Sequence, residues 1–139
     1  MKNKLFIVAV VFLSIFIVKG CTAQEINPEI TFTWTAPGDD STEGTASKYE
    51  LRYATDSLLL INSWNTATKI PDTLLPVPEI AGTFQSVTFN LTLTQDVKYY
   101  FAMKTADEKP NWSNVSNIVM VLFEDNTPPA TIINFYWSK

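Results

Sequence analysis

The segment DDSTEGTASKYE places oxygen-bearing side chains at the spacing of a calcium-binding loop. Counted from Asp39, the side chains of Asp39, Ser41 and Glu43 stand at positions 1, 3 and 5, Gly44 stands at position 6, and Glu50 stands at position 12. This order of oxygen ligands, with a glycine at the sharp turn, is that of an EF-hand loop. The question is whether the flanking sequence supplies the two helices such a loop needs.

The residues that follow favour a turn between strands. Tyr49 and Leu51 alternate with Glu50 and Arg52, so the position-12 glutamate falls inside a predicted strand and not at the start of a helix. We therefore predict no metal site. A weak calcium contact at Asp39, at its neighbour Asp40 or at Glu43 stays open as an alternative.

The sequence contains few residues that could support other kinds of chemistry. There is no histidine and one cysteine, and the four glycines are scattered, so histidine-dependent triads, cysteine and histidine zinc sites and glycine-rich phosphate loops are excluded. The paired acids Asp39-Asp40 and Asp107-Glu108 lie in predicted turns. We expect no enzyme, no catalytic residue and no cofactor.

The single cysteine, Cys21, directly follows a predicted leader. Two lysines among the first four residues precede the apolar run LFIVAVVFLSIFIV, which is too short to span a bilayer and is typical of a secretory signal peptide. The sequence VKGC resembles a bacterial lipobox, although Lys19 fits that pattern poorly. The resemblance implies lipid on Cys21 and a lipid-anchored protein at the outer membrane or cell surface. Cleavage after Ala23, which would give a soluble secreted protein, is the alternative.

The charge of the exported part argues against polyanionic partners. Cleavage before Cys21 removes three of the 10 basic residues and none of the 14 acids, so the formal charge falls from −4 to −7. A surface this acidic is poorly suited to nucleic acid or anionic lipid headgroups. We expect no nucleic acid partner, and we expect membrane contact only through the lipid.

Four segments alternate apolar and polar residues with the period of half-buried β-strands: EITFTWT, KYELRYAT, SVTFNLTL and KYYFAMKTAD. SNIVMVLF, apolar on both faces, predicts a fifth strand, and INSWNTATKI predicts a weaker sixth. No window outside the leader shows a helical period. Turn signals separate the runs, so the sequence predicts an all-β, two-sheet antiparallel sandwich.

Taken in order, TFTWTAPGDD, SKYELRYAT, YYFAMKTADE and NWSNVSNIV resemble a fibronectin type III domain of bacterial secreted proteins. The resemblance covers about residues 29–123. It implies an immunoglobulin-like sandwich whose first strand is short or missing, because few residues precede Glu29. The structural residues that it implies are Trp34, Tyr49, Leu51, Leu93, Tyr99 and Phe101. Among them, Tyr99 is expected to hydrogen-bond back to the corner that precedes its strand, with Leu93 packed beneath it.

The segment Trp112 to Ser116 resembles the Trp-Ser-x-x-Ser box of cytokine-receptor domains of this type. There the tryptophan stacks on basic side chains of the penultimate strand, for which Lys104 and Lys98 are the candidates here. A structural role of this ladder is the main expectation, and a ligand site is the alternative.

Exposed aromatic residues on one sheet define a possible binding face. We expect Tyr100 to point outward beside Arg52, with Trp64 on an edge strand and Trp112 nearby. Such a surface could bind a partner protein or a polysaccharide. The simpler reading is that these side chains cover the sheet and bind nothing.

The predicted organisation has four parts: a signal peptide (1–20), a tether (21–28), the sandwich (29–124), and a proline-containing linker with the possible first strand of a following domain (125–139). The predicted function is a non-catalytic spacer or protein-interaction module of the cell envelope. The alternative is a carbohydrate- or ligand-binding accessory module of a longer secreted protein. A third hypothesis is that residues 132–137 fold back, or swap into a neighbour, to cover the edge that the missing first strand leaves.

Overall fold

Two main antiparallel sheets lie face to face in the computed structural model, which describes residues 23–40, 43–109 and 111–138, and a third sheet is a short pair of two-residue strands. The predicted leader, Cys21 and Ser41 lie outside the described residues. The strands are β1 (Glu25–Ile26), β2 (Glu29–Thr35), β3 (Lys48–Ala54), β4 (Thr68–Lys69), β5 (Phe84–Asn90), β6 (Leu93–Thr94), β7 (Tyr99–Ala106) and β8 (Val119–Val121). The helix α1 (Ser57–Asn62) and the 3₁₀ turns Trp64–Thr66 and Asp72–Leu74 join β3 to β5.

The larger sheet has the order β4-β3-β7-β8, and β2 pairs with β5 opposite it. Within each sheet the neighbouring strands are antiparallel. The predicted all-β, two-sheet sandwich is confirmed. Its first strand is short, as expected: β1 has two residues and pairs with β6, not with β2.

The core follows from the period-2 alternation of these strands. Phe101 of β7 is 1% exposed and packs against Phe32 of β2, with the ring centroids 4.9 Å apart. The ring of Tyr53, which is opposite Phe101 in the neighbouring strand, stacks on Phe101 with the ring centroids 5.4 Å apart. The buried members of this core are Ile30, Leu51, Ile70, Val87, Phe89, Leu93 and Phe101.

The expectation that INSWNTATKI forms a strand is wrong for most of its length. The helix α1 ends within it, a 3₁₀ turn follows, and only Thr68–Lys69 pair with β3. Asp56 caps α1 by accepting a hydrogen bond from the Leu58 amide, and Leu60 is fully buried against the sheet. A helix of six residues is too short to show a helical period, which is why the pattern did not reveal it.

The predicted last strand is also shorter than expected, because only Val119–Val121 pair with β7. Upstream of it, serine hydroxyls take part in the pairing. Ser113 Oγ accepts from the Thr105 amide and Ser116 Oγ accepts from the Met103 amide, each at 3.0 Å, while the serine amides donate to the carbonyls of the same two residues. The Trp-Ser-x-x-Ser segment therefore extends the sheet partly through side chains. In the part of the chain described here, no helix is long and apolar enough to cross a membrane.

The corner before β7 is closed by a tyrosine. The Thr94 amide donates to the Tyr99 hydroxyl at 3.0 Å, and Leu93 is buried in the core beside it. Asp96 completes the turn with φ of 61°, a left-handed conformation that aspartate tolerates better than most residues. Asp96 thus takes a backbone conformation that glycine more often supplies.

Tyr99→Phe removes the acceptor of the Thr94 amide. We expect the free energy of unfolding to fall by about 1 kcal/mol, because a half-buried backbone donor loses its partner. Urea unfolding at neutral pH measures the change. Tyr100→Phe, on the opposite face of the same strand, is the matched control and should cost less; equal losses in the two variants would contradict the role of the corner.

Candidate functional site

A single carboxylate organises the outer face of the larger sheet. Glu50 Oε1 accepts from the indole Nε1 of Trp64 at 2.6 Å and from Arg52 Nε at 2.7 Å. Its other oxygen lies 3.7 Å from Lys69 Nζ. The Glu50 side chain is 12% exposed, so this network is largely withdrawn from water.

Trp64 lies beneath two cations. The guanidinium of Arg52 is 5.6 Å from the ring centroid and Lys104 Nζ is 5.0 Å from it. Arg52 also donates to the Ala67 carbonyl at 3.0 Å, beyond the 3₁₀ turn. The expected edge-strand position of Trp64 is wrong, since the residue opens that turn. Its role in the structure is to fasten the turn to the sheet.

The environment of Glu50 favours its ionised form. Burial acts to raise the pKa of this carboxyl, but the hydrogen bonds from Arg52 and Trp64, together with the positive charges of Arg52 and Lys69, outweigh burial and lower it below 4.5. The buried negative charge thus has its compensating donors in place. Removing the carboxylate would leave the donors without an acceptor, and removing the donors would leave a buried charge uncompensated.

Tyr100 lies on the same outer face but is only half-exposed. Its ring packs against a second apolar cluster of Ala54, Leu60, Ala67 and Ala102, which α1 covers. Tyr100 points outward on the face of Arg52, as expected, but helix α1, which the pattern did not predict, lies over this part of the sheet and leaves the ring half-exposed. The structure brings Tyr100, Arg52 and Trp64 to one face, where they pack as a cover.

Trp112 lies apart from that group, next to the end of β7, where it forms a bridge with Ala106. Lys48 Nζ sits 4.8 Å from its ring centroid. The expected partners, Lys104 and Lys98, are wrong for this tryptophan, since Lys104 covers Trp64 instead. Trp112 is 41% exposed, so part of its ring is accessible to a partner.

The remaining structural residues lie between the sheets. Tyr49 is buried and its hydroxyl donates to Gln85 Oε1 at 2.7 Å, and the Gln85 amide nitrogen donates in turn to the Val77 carbonyl. Trp34 is half-buried with its ring edge-on to Tyr49, 5.2 Å between centroids. The buried Gln85, which the sequence reading did not single out, is the polar tie between the two sheets.

The loop with calcium-like spacing is a tight turn whose candidate ligands separate. The Asp39 and Asp40 amides both donate to the Glu43 carbonyl, and a Cβ on Gly38 would lie 2.1 Å from that same oxygen. Glu50 is engaged with Arg52 and Trp64 instead. Among the described residues, no group of three or more acidic or cysteine side chains is placed to hold a metal ion.

Asp39 is the unusual member of this turn. Loss of solvent and then the proximity of Glu108 raise the pKa of its carboxyl above the usual value. The environment is therefore that of a carboxyl held near other acids.

An open groove of about 480 Å³ lies between β2 of one sheet and β7 and the chain leading into β8 of the other. Its apolar lining includes Phe32, Trp34, Phe101, Met103 and Val119. Trp34 Nε1 is buried and has no hydrogen-bond partner among the described residues. The groove runs along the edge of β2 that does not pair with β5.

The fold and this site define a class of protein: a single β-sandwich domain whose candidate interaction surfaces are a sheet face and a groove. The chain is similar to segments of animal proteins named calcium-activated chloride channel regulators. It is 35% identical to regulator 1 of Homo sapiens over 107 residues, 31% identical to regulator 1 of Mus musculus over 118, and 32% identical to regulator 4 of Homo sapiens over 108.

These similarities cover 73–76% of the chain but only 12–13% of each regulator, so the chain spans about an eighth of the relatives it matches. No protein-family model and no solved structure matches the chain. The similarity is thus to one short segment of much longer proteins.

Glu50→Gln tests the network by its pH dependence. Because the pKa of Glu50 is lowered in the fold, its contribution to stability is present above about pH 4.5 and is lost as the pH falls through the lower folded value. We expect the variant to be less stable by roughly 1 kcal/mol at pH 7, and the difference from the wild type to shrink towards pH 3. Thermal melts followed by circular dichroism measure both.

The control is Glu25→Gln, an exposed carboxylate on β1, which should change stability little at either pH. A gap between wild type and Glu50→Gln that is the same at pH 7 and pH 3 would show that packing, not charge, stabilises this face.

Proposed function

We propose that this chain is a fibronectin type III-type module that acts without catalysis, as a spacer or protein-interaction domain of the cell envelope. The observation that supports it best is the similarity to a segment of about 107 residues that makes up 12% of a long regulator protein. A segment of that length is the size of one sandwich domain, and such domains serve as repeated structural units within longer chains.

The assignment to this domain type is supported by three local features. The sheets combine β2 with β5 and β3 with β7 and β8. The Tyr99 hydroxyl closes the corner before β7. Ser113 and Ser116 align the segment before β8 through their hydroxyls. These features occur together and in the order that the sequence resemblance implies.

A protein partner fits the outer face better than a sugar. Sugar rings stack on a flat, open aromatic surface, whereas the ring of Trp64 is covered by Arg52 and Lys104, and Tyr100 is packed under α1. Exposed apolar side chains are available instead on α1, where Leu58 and Ile61 are each 58% exposed. The name of the relatives, regulators of a channel, is compatible with a module that contacts other proteins.

A glycan array probed with the full chain in mild detergent tests the choice between these partners. We expect no glycan to be retained above background, because the two aromatic rings of the outer face, Trp64 and Tyr100, are covered. Trp64→Ala and Tyr100→Ala are run in parallel. A glycan bound by the wild type and lost in both variants would overturn the spacer or protein-interaction proposal in favour of the carbohydrate-binding alternative.

We further propose that Cys21 bears lipid and anchors the module. The support is the leader and the small residues before the cysteine. Multiple acyl chains would supply the membrane affinity that an acidic surface lacks, since each buried methylene adds about 0.8 kcal/mol.

Expression of the full chain in a bacterium that processes lipoproteins checks this anchor. We expect mass spectrometry to find the mature N-terminus at an acylated Cys21 and the protein to sediment with membranes. Cys21→Ser should be released from that fraction or stay unprocessed. A mature N-terminus at unmodified Gln24 would contradict the proposal.

A further inference from the structure

The strand β2 has an open edge. In the part of the chain that the structure describes, its pairing partner is β5, in a register that sets Glu29 opposite Asn90. The Leu91 amide donates to the Pro28 carbonyl and the Ala36 amide donates to the Thr83 carbonyl, both in that same register. Because hydrogen-bonded pairs alternate along an antiparallel ladder, the even-numbered residues of β2 bond to β5.

The odd-numbered residues of β2 therefore direct their amides and carbonyls away from β5, toward the open edge. These residues are Glu29, Thr31, Thr33 and Thr35. An unpaired row of backbone groups of this kind is a template for another strand. It borders the apolar groove, so a strand added here would place alternate side chains into that groove.

The same chain contains a segment with the matching pattern. In IINFYW, Ile133, Phe135 and Trp137 form one apolar face when the chain is extended, and they are 82%, 89% and 82% exposed. The opposite face consists of Ile132, Asn134 and Tyr136, so it is mixed, with Asn134 as its polar residue. A strand with one fully apolar face fits an edge that has a groove on one side and water on the other.

The position of the tail favours pairing with another copy. The Asp125 amide donates to Asp96 Oδ1, which fixes the start of the tail at the Glu29 end of β2. An antiparallel strand would have to begin at the other end, about 23 Å away for seven residues. The six residues between Asp125 and Ile132 include two prolines and reach at most about 25 Å with the bond to Ile132. After spanning β2, these residues leave no length in which the chain could reverse its direction. The tail of a second molecule can approach the far end of β2 directly and is not limited in this way.

We propose that the open edge of β2 and its groove receive the segment Ile132–Trp137 of a second copy of this chain, as an added antiparallel strand with Ile133, Phe135 and Trp137 in the groove. Strand addition of this kind combines backbone hydrogen bonds with side-chain pockets, and exchange of an identical element between two protomers yields a dimer. This inference is independent of the proposed spacer or interaction function.

The oligomeric state of the full chain in mild detergent tests the exchange. We expect light scattering coupled to size exclusion to give a protein mass of twice the protomer for the wild type at high concentration. Phe135→Asp should weaken the dimer at least tenfold, because it puts a charge into the groove. Asn134→Asp introduces the same charge on the opposite face and should leave the dimer intact. Since the tail is exposed, neither variant should disturb the fold of the protomer.

A second pair of variants tests the edge itself. Thr33→Pro removes an amide that points to the open edge, whereas Thr33→Ala keeps it. We expect the dimer to weaken in the proline variant only, with circular dichroism melts confirming that both remain folded. Hydrogen exchange at Thr31 and Thr33 should slow at high protein concentration.

Three results would overturn the proposal. A monomer at all concentrations with rapid exchange along β2 would show an unoccupied edge. A monomer with slow exchange there would mean that the chain covers its own edge. A dimer that survives Phe135→Asp would be held by some other surface, such as the leader.

Discussion

Strand β7 is buried on both faces, and the rest of the structure depends on how each face is covered. Phe101 points to one side and is 1% exposed, and Ala102 points to the other and is 3% exposed. A strand at the centre of a four-stranded sheet therefore needs two covers. The two-stranded sheet of β2 and β5 supplies the inner one, and α1 with the 3₁₀ turn after it supplies the outer one.

The outer cover buries less apolar surface than the inner sheet does, because it is short and polar at its margin. Helix α1 has six residues and buries Leu60 against the sheet, which is little apolar area for fixing a connection of this length. Hydrogen bonds attach this connection further, because Glu50 accepts from the Trp64 indole and from Arg52. A charged acceptor makes hydrogen bonds roughly twice as strong as a neutral one. The aromatic and basic residues of this face thus serve first to hold the cover in place.

The strands could be predicted from sequence because their alternation is local. Each of β2, β3, β5 and β7 has seven or eight residues, long enough for period 2 to be visible. The partners of Trp64 and Trp112 could not be predicted, because they depend on which strands pair. The register sets Glu50 opposite Lys104, which directs Lys104 to Trp64 and leaves Lys48 to cover Trp112.

Two other features could not be predicted from the alternation of apolar and polar residues, for a different reason. Helix α1 is shorter than two turns, so its apolar residues read as a mixed run. Ser113 and Ser116 continue the pairing through hydroxyl groups, and a polar segment without alternation gives no strand signal. In both cases a side-chain or capping hydrogen bond defines the local structure. Such bonds do not appear in the hydrophobic periodicity of the sequence.

The groove follows from the unequal widths of the two sheets. Four strands face two, so part of the inner face of β7 and of the chain before β8 extends past β2 without an opposing strand. The outer face of β2 needs no cover, since its threonines are exposed and Thr31 bonds to Thr88 across the pair at 2.8 Å. The inner face does, because Phe32 and Trp34 stay only half-buried. At this margin of the sandwich the backbone edge of β2 and the apolar groove are open on the same side. A single added strand would therefore pair with the edge and cover the groove.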